Sequence, residues 1–160
     1  QSASHTLRYY LEYIFKEVCH NLRASVEYHG DGRYDLGDVL SPGVTKFRKL
    51  LMKGKEAADS WGRTAEASAL QDREKILAES FRTSNAEQWH INATVHYNTW
   101  ANLSPKEFKA VAEAFHNLVQ KFFCDKEECK GLYYLVGTTP KEPDTLRCSC
   151  GNTTISLKKK

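Results

Sequence analysis

Residues 124–151 read CDKEECKGLYYLVGTTPKEPDTLRCSCG and hold four of the five cysteines in the chain. They fall in two pairs, Cys124-x4-Cys129 and Cys148-x-Cys150, separated by about the length of two short strands and a turn. Two tight turns that each offer thiolates can together complete a tetrahedral site with four sulfur ligands, which is the layout of a zinc ribbon. Gly151, directly after the second pair, suits a turn tight enough to aim backbone amides at sulfur. The segments GLYYLVGTT (131–139) and TLRCSCGNTTISL (145–157) are short, β-branched and aromatic, with Gly and Pro between them, and predict a small antiparallel hairpin structure. A ribbon of this size buries too little apolar surface to hold itself together, so a metal would supply much of its folding free energy. The expected cofactor is a structural zinc on Cys124, Cys129, Cys148 and Cys150, with no open coordination position. Two other readings of these cysteines stay open: disulfides in an oxidising compartment, or reduced thiols without a metal.

Working back from the ribbon, the chain reads as helical. Ser104-Pro105-Lys106-Glu107 carries a capping residue, a proline at the first helical position and a glutamate able to reach back. The helix it starts buries Phe108, Val111, Ala112, Phe115, Leu118, Val119 and Phe122 and delivers the chain to Cys124. Asn85 with Gln88 has the form of another capping box and predicts a fourth helix from there. A third, begun at Thr64, shows a thin seam of Leu70, Ile76, Leu77 and Phe81. A second runs from about Gly43 to Trp61, with Gly54 weakening its middle. Before it, SVEYHGDGRYDLGDVLSPG (25–43) is rich in turn residues and reads as a long structured loop. The first helix follows the stripe Leu7, Tyr10, Leu11, Ile14, Phe15, Val18 and Leu22, with Ser4 or Thr6 as its cap and Cys19 as a small buried hydrophobe. The expected fold is therefore mainly α: a bundle of about five helices over residues 1–122, followed by a C-terminal β-hairpin zinc ribbon over 123–160.

The composition bounds what such a chain does. At 160 residues it suits one compact domain, or a domain with a small appendage. No stretch approaches the ~20 apolar residues that span a bilayer, and no signal sequence opens the chain, so a cytoplasmic, non-membrane protein is expected. The small polar residues Gln1 to Ser4 suggest the cut end of a longer protein. A net charge of +3, with no dense basic block except Lys158-Lys159-Lys160, permits nucleic-acid contact without demanding it. Tyr133 and Tyr134 beside Arg147 and Lys158 offer stacking rings next to phosphate-pairing charge, the chemistry of single-strand binding. The alternative is that the tyrosines pack against the last helix and the lysines form a solvated tail. GDGRYDLG (30–37) lacks the Lys-Ser/Thr ending of a phosphate-binding loop, and no Gly-x-Ser-x-Gly elbow is present.

The segment QWHINATVHYNTWANLS (88–104) concentrates histidine, asparagine and tryptophan. His90 and His96 are spaced wrongly to share a metal on one helix face, and a structural network between helices would satisfy them equally well. Around His96, HINATVHYN resembles the motif of the HEPN family of helical domains, many of which are metal-independent ribonucleases. VHYNTWANLS is similar to stretches in the helical, zinc-ribbon-ended tails of ABC or SMC-like ATPases of prokaryotic phage defence. The resemblance implies His96 as acid or base, Asn92 and Asn98 as its polar neighbours, RNA as substrate and a possible homodimer. The chain departs from the motif where His90 stands in place of the arginine that would steady the phosphate; Arg73 or Arg82 would have to replace it. Two functions from different classes follow. The first is a non-catalytic module that recognises RNA, DNA or a partner protein for an ATPase domain of a parent chain. The second is a HEPN-type ribonuclease using His96.

Overall fold

A computed structural model of the chain describes residues 3–91, 103–137, 139 and 141–160. Four helices, α1 (Ala3–Leu22), α2 (Leu36–Ser60), α3 (Thr64–Ile91) and α4 (Pro105–Gln120), precede three short strands, β1 (Tyr134–Val136), β2 (Thr145–Arg147) and β3 (Thr154–Ser156). The strands form one antiparallel sheet in the order β1-β2-β3. None of the described helices is long and apolar enough to cross a membrane.

Among the described residues there are four helices rather than about five, and no new helix starts at Asn85, because α3 runs straight through it to Ile91. Nothing between Thr64 and Ile91 is a glycine or proline, and an asparagine acts as an N-cap only where its own backbone is not helical, whereas the backbone at Asn85 is helical. Ser84, fully buried, donates to the Ser80 carbonyl at 2.9 Å and to the Ala114 carbonyl at 3.3 Å, pinning α3 to α4. Within the expected seam, Leu70 and Leu77 are buried but Ile76 is exposed.

α2 begins at Leu36 rather than near Gly43, so the second half of the expected 25–43 loop is helical. Asp35 and Asp38 form a reciprocal capping box, and Leu36, Val39 and Leu40 continue the buried stripe of Val44 and Phe47 towards the N-terminus. Pro42 therefore lies inside the helix, at the cost of one backbone hydrogen bond. Next to it, a Cβ on Gly43 would stand 3.2 Å from Val18 and 3.3 Å from Phe15, so the missing side chain lets α1 pack closely. At the other end of the bundle, the helix predicted from Ser104-Pro105 starts as read and buries Val111, Phe115, Leu118 and Val119, while Phe108 and Ala112 are half-buried and Phe122 lies just past its end at Gln120. Ser104 caps the Glu107 amide and Glu107 returns to the Ser104 amide at 2.8 Å. α1 begins earlier than expected, which puts Ser4 and Thr6 inside the helix and leaves neither as its cap.

One apolar core runs through helices and sheet alike. It joins Leu11, Phe15, Phe47, Phe115 and Phe122 to Leu135, Leu146 and Ile155, which sit side by side on the three strands. Phe122 packs edge-on to Phe15 at 5.4 Å and against Phe47 at 5.0 Å, where α1, α2 and the chain leaving α4 meet.

The sheet meets α2 at Gly54, where a Cβ would stand 2.5 Å from the Ile155 Cγ2 and 3.3 Å from Leu70. Gly54 thus marks close approach rather than a weak point. Gly54→Ala adds about 1 kcal/mol of helix propensity, but overpacking of this kind costs about 1–3 kcal/mol. Because Ile155 Cγ2 branches next to the backbone, it cannot swing clear without moving β3. We expect Gly54→Ala to lower the urea midpoint of unfolding; a raised midpoint would show that propensity wins over packing.

Candidate metal centre

The chain leaves α4 and enters a tight hairpin. Phe123 bridges to Leu132, the Cys124 amide donates to the Gly131 carbonyl at 2.9 Å, and the Tyr133 amide donates to Phe122 at 3.0 Å. Inside this frame the Cys129 amide donates to Lys126 at 2.9 Å and Lys130 takes a left-handed φ of 44°. A second turn after β2 does the same work: the Cys148 amide donates to Thr153 at 3.1 Å and the Gly151 amide to Cys148 at 3.2 Å. Gly151 has a φ of 75°, which only glycine adopts without strain.

These two turns bring Cys124, Cys129, Cys148 and Cys150 together, with all four sulfurs within 4.8 Å of one another. Cys124 and Cys150 are 3.8 Å apart and Cys148 and Cys150 3.4 Å apart, well beyond the ~2.05 Å of a disulfide. All five cysteines are free thiols. Four sulfurs at ~2.3 Å from a central ion form a tetrahedron with edges of ~3.8 Å, so the cluster has the size of a tetrahedral thiolate site. The backbone is arranged for negative sulfur as well. Amides of Lys126, Asn152 and Thr153 point at Cys124, Cys150 and Cys148 from 3.4, 3.5 and 3.3 Å. The Gly131 amide does the same for Cys129. Such amides orient the ligands and favour thiolate over thiol.

The sulfurs also compete for charge. At Cys148 burial opposes ionisation, but the Thr153 amide and the thiols of Cys150 and Cys124 outweigh it and hold the group down at about 6. At Cys124 the Lys126 amide favours the thiolate, yet burial and the neighbouring thiols of Cys148, Cys150 and Cys129 push it up to about 12. Cys129 is lowered, chiefly by the Gly131 amide. Cys150 is raised: the Asn152 amide favours its thiolate, but burial and its neighbours outweigh it. Some sulfurs ionise at the expense of others, and a cation at the centre would remove the competition. The residues therefore fit a metal ion held by four cysteines.

The residues expected to touch nucleic acid are not one surface. Tyr133 is 2% exposed; its ring lies against Phe47, and Arg73 donates to its hydroxyl at 2.6 Å, so it ties the ribbon to α2 and α3 and has no face left for a base. Arg147 is half-buried and donates to the Cys148 carbonyl at 3.4 Å. Lys158 pairs with Asp144 at 2.9 Å, and Lys159 pairs with Glu56 at 3.1 Å. The Lys160 amide donates to Ser60, so the closing lysines are docked on the end of α2. Tyr134 alone of the four lines an open groove, with His20 and Arg23. His96, Asn92 and Asn98 lie outside the described residues. Arg73, engaged with Tyr133, is not directed to a catalytic role by any described contact.

The sequence reading missed one charged feature. On α2, Arg48 pairs with Glu74 and Lys55 with Asp59, whereas Lys46, Lys49 and Lys53 make no ion pair among the described residues. Burial, then Lys53, Lys49 and Arg23, lower the pKa of Lys46, so these cations feel one another. Their three- and four-residue spacing is the signal that places them on one helix face, although they form no contiguous basic run. No family model, curated protein or solved structure matches the chain.

Cys19 stands apart from the cluster, buried, donating to the Val39 carbonyl at 3.2 Å, with burial pushing its thiol up to about 11. Removing a metal from the cluster at neutral pH should make four thiols available to an aromatic disulfide reagent, with Cys19 reacting only after denaturation. Protons compete with metal for sulfur, so the metal should be released as the pH falls. A metal-loaded sample in which all five thiols react at once would contradict this arrangement.

Proposed function

We propose that the chain is a non-catalytic nucleic-acid-recognition module whose C-terminal ribbon is fixed by one structural zinc ion. Four thiolates in a tetrahedron suit zinc, which has no redox chemistry and no further geometric demand. Bound there, zinc would cross-link the two turns and contribute on the order of 10–16 kcal/mol of apparent folding free energy. With all ligand positions taken by sulfur, no position is left for substrate or water.

The observation that carries the recognition reading is the row of Lys46, Lys49 and Lys53 on α2: these three lysines make no ion pair among the described residues, and Arg23 adds to the positive field at Lys46. An unneutralised row of ammonium groups is an electrostatic footprint for a phosphate backbone. The resemblance to ribbon-ended tails of defence ATPases supports the same reading, with the ATPase in a parent chain, whereas the HEPN motif supports the ribonuclease alternative. The ribonuclease alternative depends on His96, Asn92 and Asn98 and has no described geometry behind it.

Elemental analysis should find about one zinc per chain; iron in its place would keep the site and change the metal. Anisotropy titrations with labelled RNA and DNA at about 50 and 200 mM salt should show binding that weakens steeply with salt. The triple variant K46Q/K49Q/K53Q should bind about tenfold or more weakly, with a log–log salt slope smaller by about 2–3. Zinc-loaded protein that binds no nucleic acid at low salt overturns the recognition reading.

A further inference from the structure

α1 carries a second exposed feature that neither the metal nor the α2 lysines explain. Tyr9 and Tyr13 are 58% and 63% exposed, although tyrosine rings on a helix facing solvent gain nothing from burial there. With Lys16 and His20, both exposed, they occupy one strip of the helix. At 3.6 residues per turn the four lie within an arc of about 60°, with Tyr9 and Tyr13 one turn, about 6 Å, apart. The strip does not end with the helix. His20 also lines a groove of about 750 Å³ between α1 and the ribbon, together with Arg23 and Tyr134. Two aromatic rings, a lysine, a histidine, an arginine and a third tyrosine thus follow one another along a continuous surface.

We infer that this surface is a path for single-stranded nucleic acid, running along α1 over Tyr9, Tyr13, Lys16 and His20 into the groove at Arg23 and Tyr134. The inference rests on the nucleic-acid reading above and names its strand class and its route. Exposed ring faces next to cations are what unpaired bases and their phosphates use, because each base can stack while the backbone is neutralised. A duplex offers its ring edges and phosphates but has its faces already stacked, so it gains little from the tyrosines. Acidic groups of α1 are kept off the strip: Glu12 is buried and pairs with Arg8 at 3.0 Å, and Glu17 is half-buried outside the arc. Tyrosines also mark protein interfaces, but the centres of such interfaces are poor in lysine, and Lys16 sits in the middle of this strip. The polyanion is the better match.

The test uses the full metal-loaded chain, with labelled 20-nucleotide oligo(dT), oligo(U) and a duplex of equal length. Single strands should bind more tightly than the duplex. Tyr9→Ala with Tyr13→Ala should weaken single-strand binding by about tenfold or more and narrow its advantage over the duplex. Tyr9→Phe with Tyr13→Phe, which keeps the rings, should restore it. Lys16→Glu should weaken binding to all three and reduce the salt slope by about 1 or more. Metal content, thermal melting and sedimentation mass are measured for each variant, and all should match the parent. If the parent binds nucleic acid and the alanine pair binds equally well, the α1 path is wrong while the α2 reading stands. If nothing binds, both fall. If the alanine pair alters the mass of the particle and leaves nucleic-acid affinity unchanged, the strip is a contact between protein chains and the inference is overturned.

Discussion

Four thiol sulfurs within 4.8 Å of one another set the constraint on which the C-terminal quarter of the chain depends. Two like charges about 4 Å apart repel by roughly 4 kcal/mol at an effective dielectric of 20, so the four cannot all ionise unaided. The backbone nevertheless aims an amide at each sulfur, an arrangement with little purpose for neutral thiols. Geometry that favours the thiolate and repulsion that forbids four of them would be reconciled by one cation bound at the centre. Each of the three strands is three residues long, and a sheet of that size has little stability of its own.

The consequences reach beyond the ribbon because the sheet is part of the main core. Leu135, Leu146 and Ile155 face inward in register, Ile155 fits into the space left at Gly54, and Tyr133 reaches between Phe47 and Arg73. The last residues lock the arrangement from outside: Trp61 donates its indole N–H to the Lys158 carbonyl at 3.0 Å. Holding the metal site therefore also holds β3 against α2 and Tyr133 against α3. It would further steady the groove lined by Tyr134, His20 and Arg23, a surface that a metal held by the cysteines would not touch.

Much of this was legible in the sequence, and the reasons are local. The Ser104-Pro105-Glu107 start is written within four consecutive residues, and its chemistry acts within one turn. The paired cysteines with Gly151 are legible because ligand spacing and turn geometry are local too. The start of α2 was hidden because Gly30, Gly32 and Pro42 carry loop signals, whereas the decisive signals, the Asp35–Asp38 box and the inward stripe Leu36, Val39 and Leu40, become clear only against α1. Gly54 reads as a defect in a helix until β3 is seen lying on it. Tyr133 and Tyr134 are identical neighbours in sequence, yet strand alternation sends one into the core and leaves the other on the groove.

Charge shows the same limit, and it bears directly on function. The densest basic run, Lys158 to Lys160, is the obvious candidate for phosphate contact. Two of its ammonium groups already pair, Lys158 with Asp144 just before β2 and Lys159 with Glu56 on α2. Lys46, Lys49 and Lys53 are dispersed in sequence yet act as one row, because helical periodicity gathers them while their neighbours Arg48 and Lys55 are drawn off by Glu74 and Asp59. What attracts a polyanion is the charge remaining after internal pairing. On this molecule that remainder lies on the helices, and the ribbon contributes the rigidity that keeps their surfaces in place.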